Sequence, residues 1–200
     1  MCYTTRDMSW RRGVTSIACA VVWLVAVPSL GAVSFSLTAA QQEEAKRAGK
    51  RSVVADDWTG EWRVADGPGQ YALVVTPFHR LALAARNAAF KNQDLAGREV
   101  ESLLRDAEGQ LTVWAVLRGP RADFARHFAP ALVAGAQEIK PSFVQNERTA
   151  LREEDGRYTA RCLYVFPAQG LDARGQVTLM VRDVDDRPVA RFTLNLSAMR

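Results

Sequence analysis

Few residues in this chain are of types that could do chemistry. Histidine occurs twice, at His79 and His127, each beside a phenylalanine. A nucleophilic triad needs a base on a serine and a carboxylate behind the base. Ser142 and Asp123 are the residues that could be drafted into a triad with one of the histidines, but no serine sits in the G-x-S-x-G turn that exposes a hydrolase nucleophile. Both histidines are therefore expected to pack or to face solvent. Cys162 would need a neighbouring base and a lowered pKa to react. Its surroundings, Arg161-Cys162-Leu163-Tyr164-Val165-Phe166, read instead as a strand that turns it inward with Ala160 and Tyr164.

Acidic clusters come next. Asp183, Asp185 and Asp186 lie on one short loop and could offer a cation some hard oxygen ligands. They lack the EF-hand spacing, and Arg182 and Arg187 flank them, so a hairpin loop is the expected role. Glu153-Glu154-Asp155-Gly156 reads as another solvated turn. Glu138 and Glu147 are the carboxylates that a paired acid–base mechanism would use. Trp58 and Trp62, four apart, could make a stacking platform for a sugar or a lid over a sheet edge. No phosphate-binding loop, dinucleotide fingerprint or zinc spacing is present. No residue is assigned as catalytic, cofactor-binding or metal-binding, and no cofactor is expected.

The elements that must position these residues are mostly strands. Glu61–Val64, Tyr71–Val75, Gln110–Leu117, Arg157–Phe166, Gln176–Arg182 and Val189–Leu196 show short apolar or alternating runs. Leu132-Val133 and Glu138-Ile139 flank a turn at Gly135, with Ser142–Gln145 continuing the second strand beyond Pro141. In Gln110–Leu117 both faces are largely apolar, which predicts a central strand. The alternation of Leu81, Leu83 and Ala85 favours a strand at the start of Leu81–Phe90, although its alanines also suit a helix. Leu95–Leu104 is the clearest helix, with Asp94 as N-cap and Gly109 as its stop. Asp123–Phe128 suits a helical turn or two, limited by Pro130.

Ahead of these elements stands a leader. Arg11-Arg12 precede the charge-free run from Gly13 to Val33, the layout of an export signal and about the length of a membrane span. Residues 1–40 are read as a signal peptide or signal anchor, and 41–57 as a polar linker. Cys19 opens the apolar run rather than following it, which argues against lipid attachment. Cys162 is then the single cysteine of the exported part, so no disulfide forms within it.

The 200 residues hold 26 basic and 22 acidic side chains, a net charge of +4, with 48% hydrophobic residues. That balance excludes a disordered chain and a multi-pass membrane protein. Removing Arg6, Arg11, Arg12 and Asp7 leaves 23 basic and 21 acidic side chains, a net of +2. Acids are interleaved with the arginines, so no nucleic-acid partner is expected.

The closing segment 177–196, VTLMVRDVDDRPVARFTLNL, is similar to the last hairpin of immunoglobulin-like and C2-like sandwiches. The expected fold is mainly β. It is an antiparallel immunoglobulin-like or C2-like β-sandwich over residues 58–200, with one or two short helices in its connections and an apolar helix before it. The expected function is an exported, non-catalytic cell-envelope protein, periplasmic or secreted, that binds another envelope protein or a cell-wall component. Membrane contact comes only through residues 13–33, if they stay uncleaved. The alternative is a secreted hydrolase acting on a polymer through carboxylates such as Glu138 or Glu147.

Overall fold

The computed structural model describes residues 33–55 and 58–200. The apolar run lies outside them except for Val33, which is buried and whose amide donates to the Leu196 carbonyl at 3.0 Å. No helix among the described residues is long and apolar enough to cross a membrane.

The fold is mainly antiparallel β, with two sheets and three α-helices among the described residues. In chain order the strands are β1 (Arg63–Ala65), β2 (Tyr71–Val75), β3 (Gln110–Gly119), β4 (Ala129–Ala134), β5 (Gln137–Ile139), β6 (Phe143–Gln145), β7 (Leu151–Arg152), β8 (Tyr158–Pro167), β9 (Gln176–Arg182) and β10 (Pro188–Asn195). The helices are α1 (Ala39–Arg51), α2 (Pro77–Phe90) and α3 (Gly97–Ala107). The first sheet runs β1-β2-β3-β8-β6, with β7 also on β8, and the second runs β10-β9-β4-β5.

Strand alternation builds the core. Pairing sets Ala72 beside Ala115 beside Cys162, and Val74 beside Val113 beside Tyr164, all wholly buried on one face of the first sheet. In the second sheet Leu132, Leu179 and Phe192 form an equivalent buried row. Both rows join Ala45, Phe78, Leu81 and Val100 of the helices in one apolar cluster.

Helices replace two expected elements. The segment expected to start as a strand at Leu81 lies inside α2. Thr76 caps that helix by accepting from the His79 amide at 3.0 Å, and Pro77 fills its first turn. Burial then follows Phe78, Leu81, Ala82 and Ala85, a helical stripe, so the Leu81–Leu83 alternation was incidental. The polar linker is largely α1. Thr38 and Gln41 form a capping box at its start, and Ala45 and Gly49 are buried where it meets α2. A Cβ on Gly49 would stand 2.1 Å from the Ala82 carbonyl oxygen, so the two helices touch through backbone.

Three smaller expectations change as well. The third helix starts at Gly97 with Ala96 at its N-cap, while Asp94 pairs with Lys50 of α1 at 2.7 Å. Gly109, at φ +66°, does follow its end. Arg121–Phe128 is a chain of turns, not a helix. Ser142–Gln145 does not extend β5; past Pro141 the chain crosses to the first sheet, and β6 pairs with β8.

Strand β3 is central in its sheet, and its inward residues Leu111, Val113, Ala115 and Leu117 are almost wholly buried. The opposite face carries the rows Val75–Thr112–Val165–Phe143, Leu73–Trp114–Leu163 and Tyr71–Val116–Arg161. Trp114 is 38% exposed and Phe143 49%. Solvated sheet faces are usually polar; this one is largely apolar and unevenly covered, with Thr112 and Val116 buried while Trp114 and Phe143 are exposed.

Gly49 supplies a test of the α1–α2 contact. Ala for Gly favours a helix interior by up to about 1 kcal/mol, and Gly97→Ala, where nothing lies within 4 Å, should be neutral or stabilising. Gly49→Ala should lower the urea midpoint despite that propensity. A raised midpoint for Gly49→Ala would show that α1 does not pack on α2.

Candidate functional site

His79 sits in the first turn of α2, where the cap at Thr76 fixes its direction. Its ring lies 4.5 Å from the Trp62 ring and 5.0 Å from the Trp58 ring, centroid to centroid. It is 2% exposed, and neither ring nitrogen has a hydrogen-bond partner. Burial pushes its pKa down to about 4, so the ring is neutral near pH 7. A neutral imidazole walled in by aromatics has no access to substrate. The same packing settles the tryptophans: Trp62 is buried, its Nε1 donates to the Arg200 carbonyl at 2.9 Å, and Trp58 stands edge-on to it at 5.7 Å. Both pack against His79, and Trp58 stays half-buried at the surface.

Cys162 is wholly buried on the inward row, and burial raises its thiol pKa. The Ser142 hydroxyl donates to the Val165 carbonyl at 3.1 Å and so serves the β6–β8 edge.

The acidic loop joins β9 to β10 as a hairpin. Asp183 accepts from the Asp185 amide at 2.9 Å and the Arg187 amide at 3.0 Å, contacts that hold its carboxyl below the usual range. The Arg187 side chain reaches Asp183 and Asp185, and Arg182 lies 3.5 Å from Asp186. Each carboxylate thus has a guanidinium partner. Among the described residues no group of three or more His, Cys, Asp or Glu is placed to hold a metal ion. Asp155, in the other acidic turn, accepts from the Arg157 amide at 3.1 Å and pairs with Arg118.

Glu138 and Glu147 are occupied separately. Arg182 grips Glu138 with two bonds of 3.1 Å, which keeps that carboxyl ionised and its pKa low. Glu147 accepts from the Arg161 amide at 2.6 Å, beside the first sheet.

An open groove centres on His127. The turns of Arg121–Phe128 separate two hollows that share this residue. The first, of about 580 Å³, is lined by Arg126, His127, Val144, Gln145, Asn146 and Arg148. Asn146 is fixed there: its Nδ2 donates to the Phe128 carbonyl at 2.8 Å, and its Oδ1 accepts from the Tyr164 hydroxyl at 3.1 Å. Arg126 and Arg148 are exposed, meet no acid in the lining and hold no ion pair among the described residues.

The second hollow, of about 420 Å³, brings Asp123 and His127 together with Asp183 and Asp185. Its charges are paired, Arg121 with Asp123 and Arg187 with the hairpin acids. Phe124, Phe128, Val184 and Val189 supply an apolar wall. Gly119 admits the Phe124 ring over the end of β3, since a Cβ there would meet that ring at 2.2 Å. Sequence reasoning found Asp123 and His127 but missed Arg126 and Arg148, which only the β6–β8 pairing brings together.

No family model matches the chain, and no curated protein matches it. Among solved structures it is similar to a crystal structure of a novel protein of unknown function from Burkholderia pseudomallei. The two are 10% identical, with a TM-score of 0.41, over 82% of this chain and 92% of that one.

Two measurements test the site as described. His79 titrates near 6.5 in the unfolded chain and at about 4 when folded. Between those values the unfolded chain binds the extra proton, so stability falls as the pH drops, by at most about 3 kcal/mol. His79→Phe should keep the stacking and remove that loss. Urea midpoints at pH 7 and pH 4.5 should therefore fall further for the native protein than for the variant. Equal falls would mean that His79 is not held neutral by burial. For the hairpin, millimolar calcium should leave the melting temperature nearly unchanged. A site filled at 100 times its Kd adds about 2.7 kcal/mol. A rise of that size, abolished by Asp185→Asn, would contradict the arginine-neutralised loop.

Proposed function

We propose that the protein is an exported, non-catalytic module of the cell envelope. It binds another envelope protein or a cell-wall component in the groove around His127. The observation that carries this reading is the unbalanced charge of the first hollow. Arg126 and Arg148 line it without an acid, next to an apolar wall at Phe124 and Phe128. Guanidinium groups present fork-shaped donors that suit carboxylate and phosphate oxygens. The ligand that fits is anionic at one end and apolar beside it. Segments 120–128 and 140–150 connect strands, and connections on a rigid sheet commonly carry binding residues.

Export rests on the sequence: Arg11-Arg12 before the charge-free run 13–33. That run either is cut away or stays as an anchor. We further propose that the two sheets face each other as a β-sandwich, since their inward rows feed one core. The immunoglobulin-like or C2-like comparison is supported by the β9–β10 hairpin. The hydrolase alternative lacks an observation in its favour, because Glu138 and Glu147 are each taken up by a different arginine residue.

Residues 1–57 fused to a reporter active only outside the cytoplasm should give signal; a silent but intact fusion contradicts export. The full chain should be retained on an immobilised acidic cell-wall polymer, and less so as salt rises. Arg126→Glu with Arg148→Glu should cut that affinity by at least about tenfold, a loss of about 1.4 kcal/mol. Equal retention of the native and doubly substituted protein would remove the groove from the reading.

A further inference from the structure

The residues that lead into α1 belong to the folded body, and this bears on where an export signal is removed. We propose that the membrane-bound peptidase of the export machinery cuts this chain at the Gly31–Ala32 bond, ahead of Val33, so that residues 33–40 stay in the mature protein. This rests on the export reading above and names the processing site within it. Water adds across one peptide bond, leaving a carboxylate on Gly31 and an ammonium on Ala32.

Three observations tie residues 33–40 to the body. Val33 is 2% exposed, lies in the apolar core and donates its amide to the Leu196 carbonyl at 3.0 Å. Phe35 and Leu37 pack against the same core, and they line a hollow with Pro77 of α2 and Leu104 of α3. Thr38 starts α1: its hydroxyl accepts from the Gln41 amide at 3.3 Å, and the Gln41 side-chain oxygen accepts from the Thr38 amide at 2.9 Å. The Leu37 carbonyl accepts from the Gln42 side chain at 3.2 Å, a further link from this segment to the helix.

A signal is cut where small residues stand first and third before the bond. Several pairs at that spacing follow Pro28. Ser29 and Gly31 precede Ala32, Ala32 and Ser34 precede Phe35, Ser34 and Ser36 precede Leu37, and Thr38 and Ala40 precede Gln41. Cutting takes place as the chain emerges, before it folds, so access to the bond does not choose among them. The product that each cut leaves does. Every cut beyond Val33 removes its core contact and its bond to Leu196. A cut before Leu37 also removes Phe35. A cut before Gln41 removes the capping box as well, and sets a new ammonium in the first turn of α1, where the helix dipole disfavours positive charge. The Ser29–Gly31 pair leaves all of these contacts in place. It also stands directly behind Pro28, which closes the apolar run Val14–Val27. That run is within the length of about 7–15 residues usual for the apolar part of a signal.

The test is to express the full chain in cells with an export pathway and to read the first residue of the exported protein by N-terminal sequencing and intact mass. It should be Ala32. Gly31→Tyr should leave most of the chain uncut in the membrane. Ala40→Tyr, at an exposed position, should be cut where the native chain is. Val33→Asp keeps Ser29 and Gly31, so it should be cut at the same bond yet unfold at lower urea. A first residue beyond Val33, at Leu37 or Gln41 above all, overturns the proposal. So does a native chain that stays full-length in the membrane, a block of processing by Ala40→Tyr, or a urea midpoint unchanged by Val33→Asp. In each of those cases the chain has been exported, and the envelope reading stands. A full-length chain left in the cytosol contradicts the envelope reading itself, and the processing site falls with it.

Discussion

Ten consecutive residue pairs join β3 to β8, from Gln110 opposite Pro167 to Gly119 opposite Tyr158. The rest of the structure hangs on this ladder. Its inward side chains, Leu111 to Leu117 on one strand and Ala160 to Phe166 on the other, are all but fully buried. Fully burying one large aliphatic or aromatic side chain stabilises a fold by roughly 1.5–3 kcal/mol. The small residues Ala115, Ala160 and Cys162 sit in the same inward row set as Tyr164 and Phe166, so large and small side chains interlock across the core. Strands β2 and β6 then add to either side of a surface already formed.

The functional features lie where regular pairing stops. After Gly119 the chain leaves the first sheet through the turns of Arg121–Phe128 and enters β4; after Ile139 it returns through Pro141 to β6. These two crossings bound the His127 groove, and Asn146 ties one to the other through the Phe128 carbonyl. Tyr164, from the ladder itself, holds Asn146 from below. A buried strand residue thus orients the groove, which is how a rigid sheet can present exposed arginines at a fixed spacing.

Local pattern was enough for the strands. Tyr71–Val75, Gln176–Arg182 and the alternation from Tyr158 to Phe166 were legible because period two and turn residues coincide there. The helices were less so. In α2 the decisive signal was Thr76-Pro77, a capping residue before a first-turn proline, while three apolar residues at period two pointed the other way. In α1 the composition is polar, and two small residues, Ala45 and Gly49, make its contact with α2; apolar periodicity is blind to a helix that packs through backbone. Long-range facts were beyond reach. Whether Ser142–Gln145 joined β5 or β8 depends on where the chain goes after Pro141. The uneven cover on the outer face of β3, with Trp114 exposed and Thr112 and Val116 buried, could not be read from a strand that is apolar on both faces. For the same reason His79 showed only its neighbours in sequence, whereas its burial comes from Trp58 and Trp62.

Native-state hydrogen exchange addresses the ladder most directly. Amides that open only with the whole molecule exchange at the rate set by global stability, and those at frayed edges exchange far faster. The amides of Thr112–Leu117 in β3 and Ala160–Val165 in β8 should be the slowest in the chain, with a free energy equal to that of global unfolding by urea. Those of β7, a two-residue strand, should exchange much faster. Exchange in β3 as fast as in β7, or well below the global free energy, would contradict the β3–β8 ladder as the support of the fold.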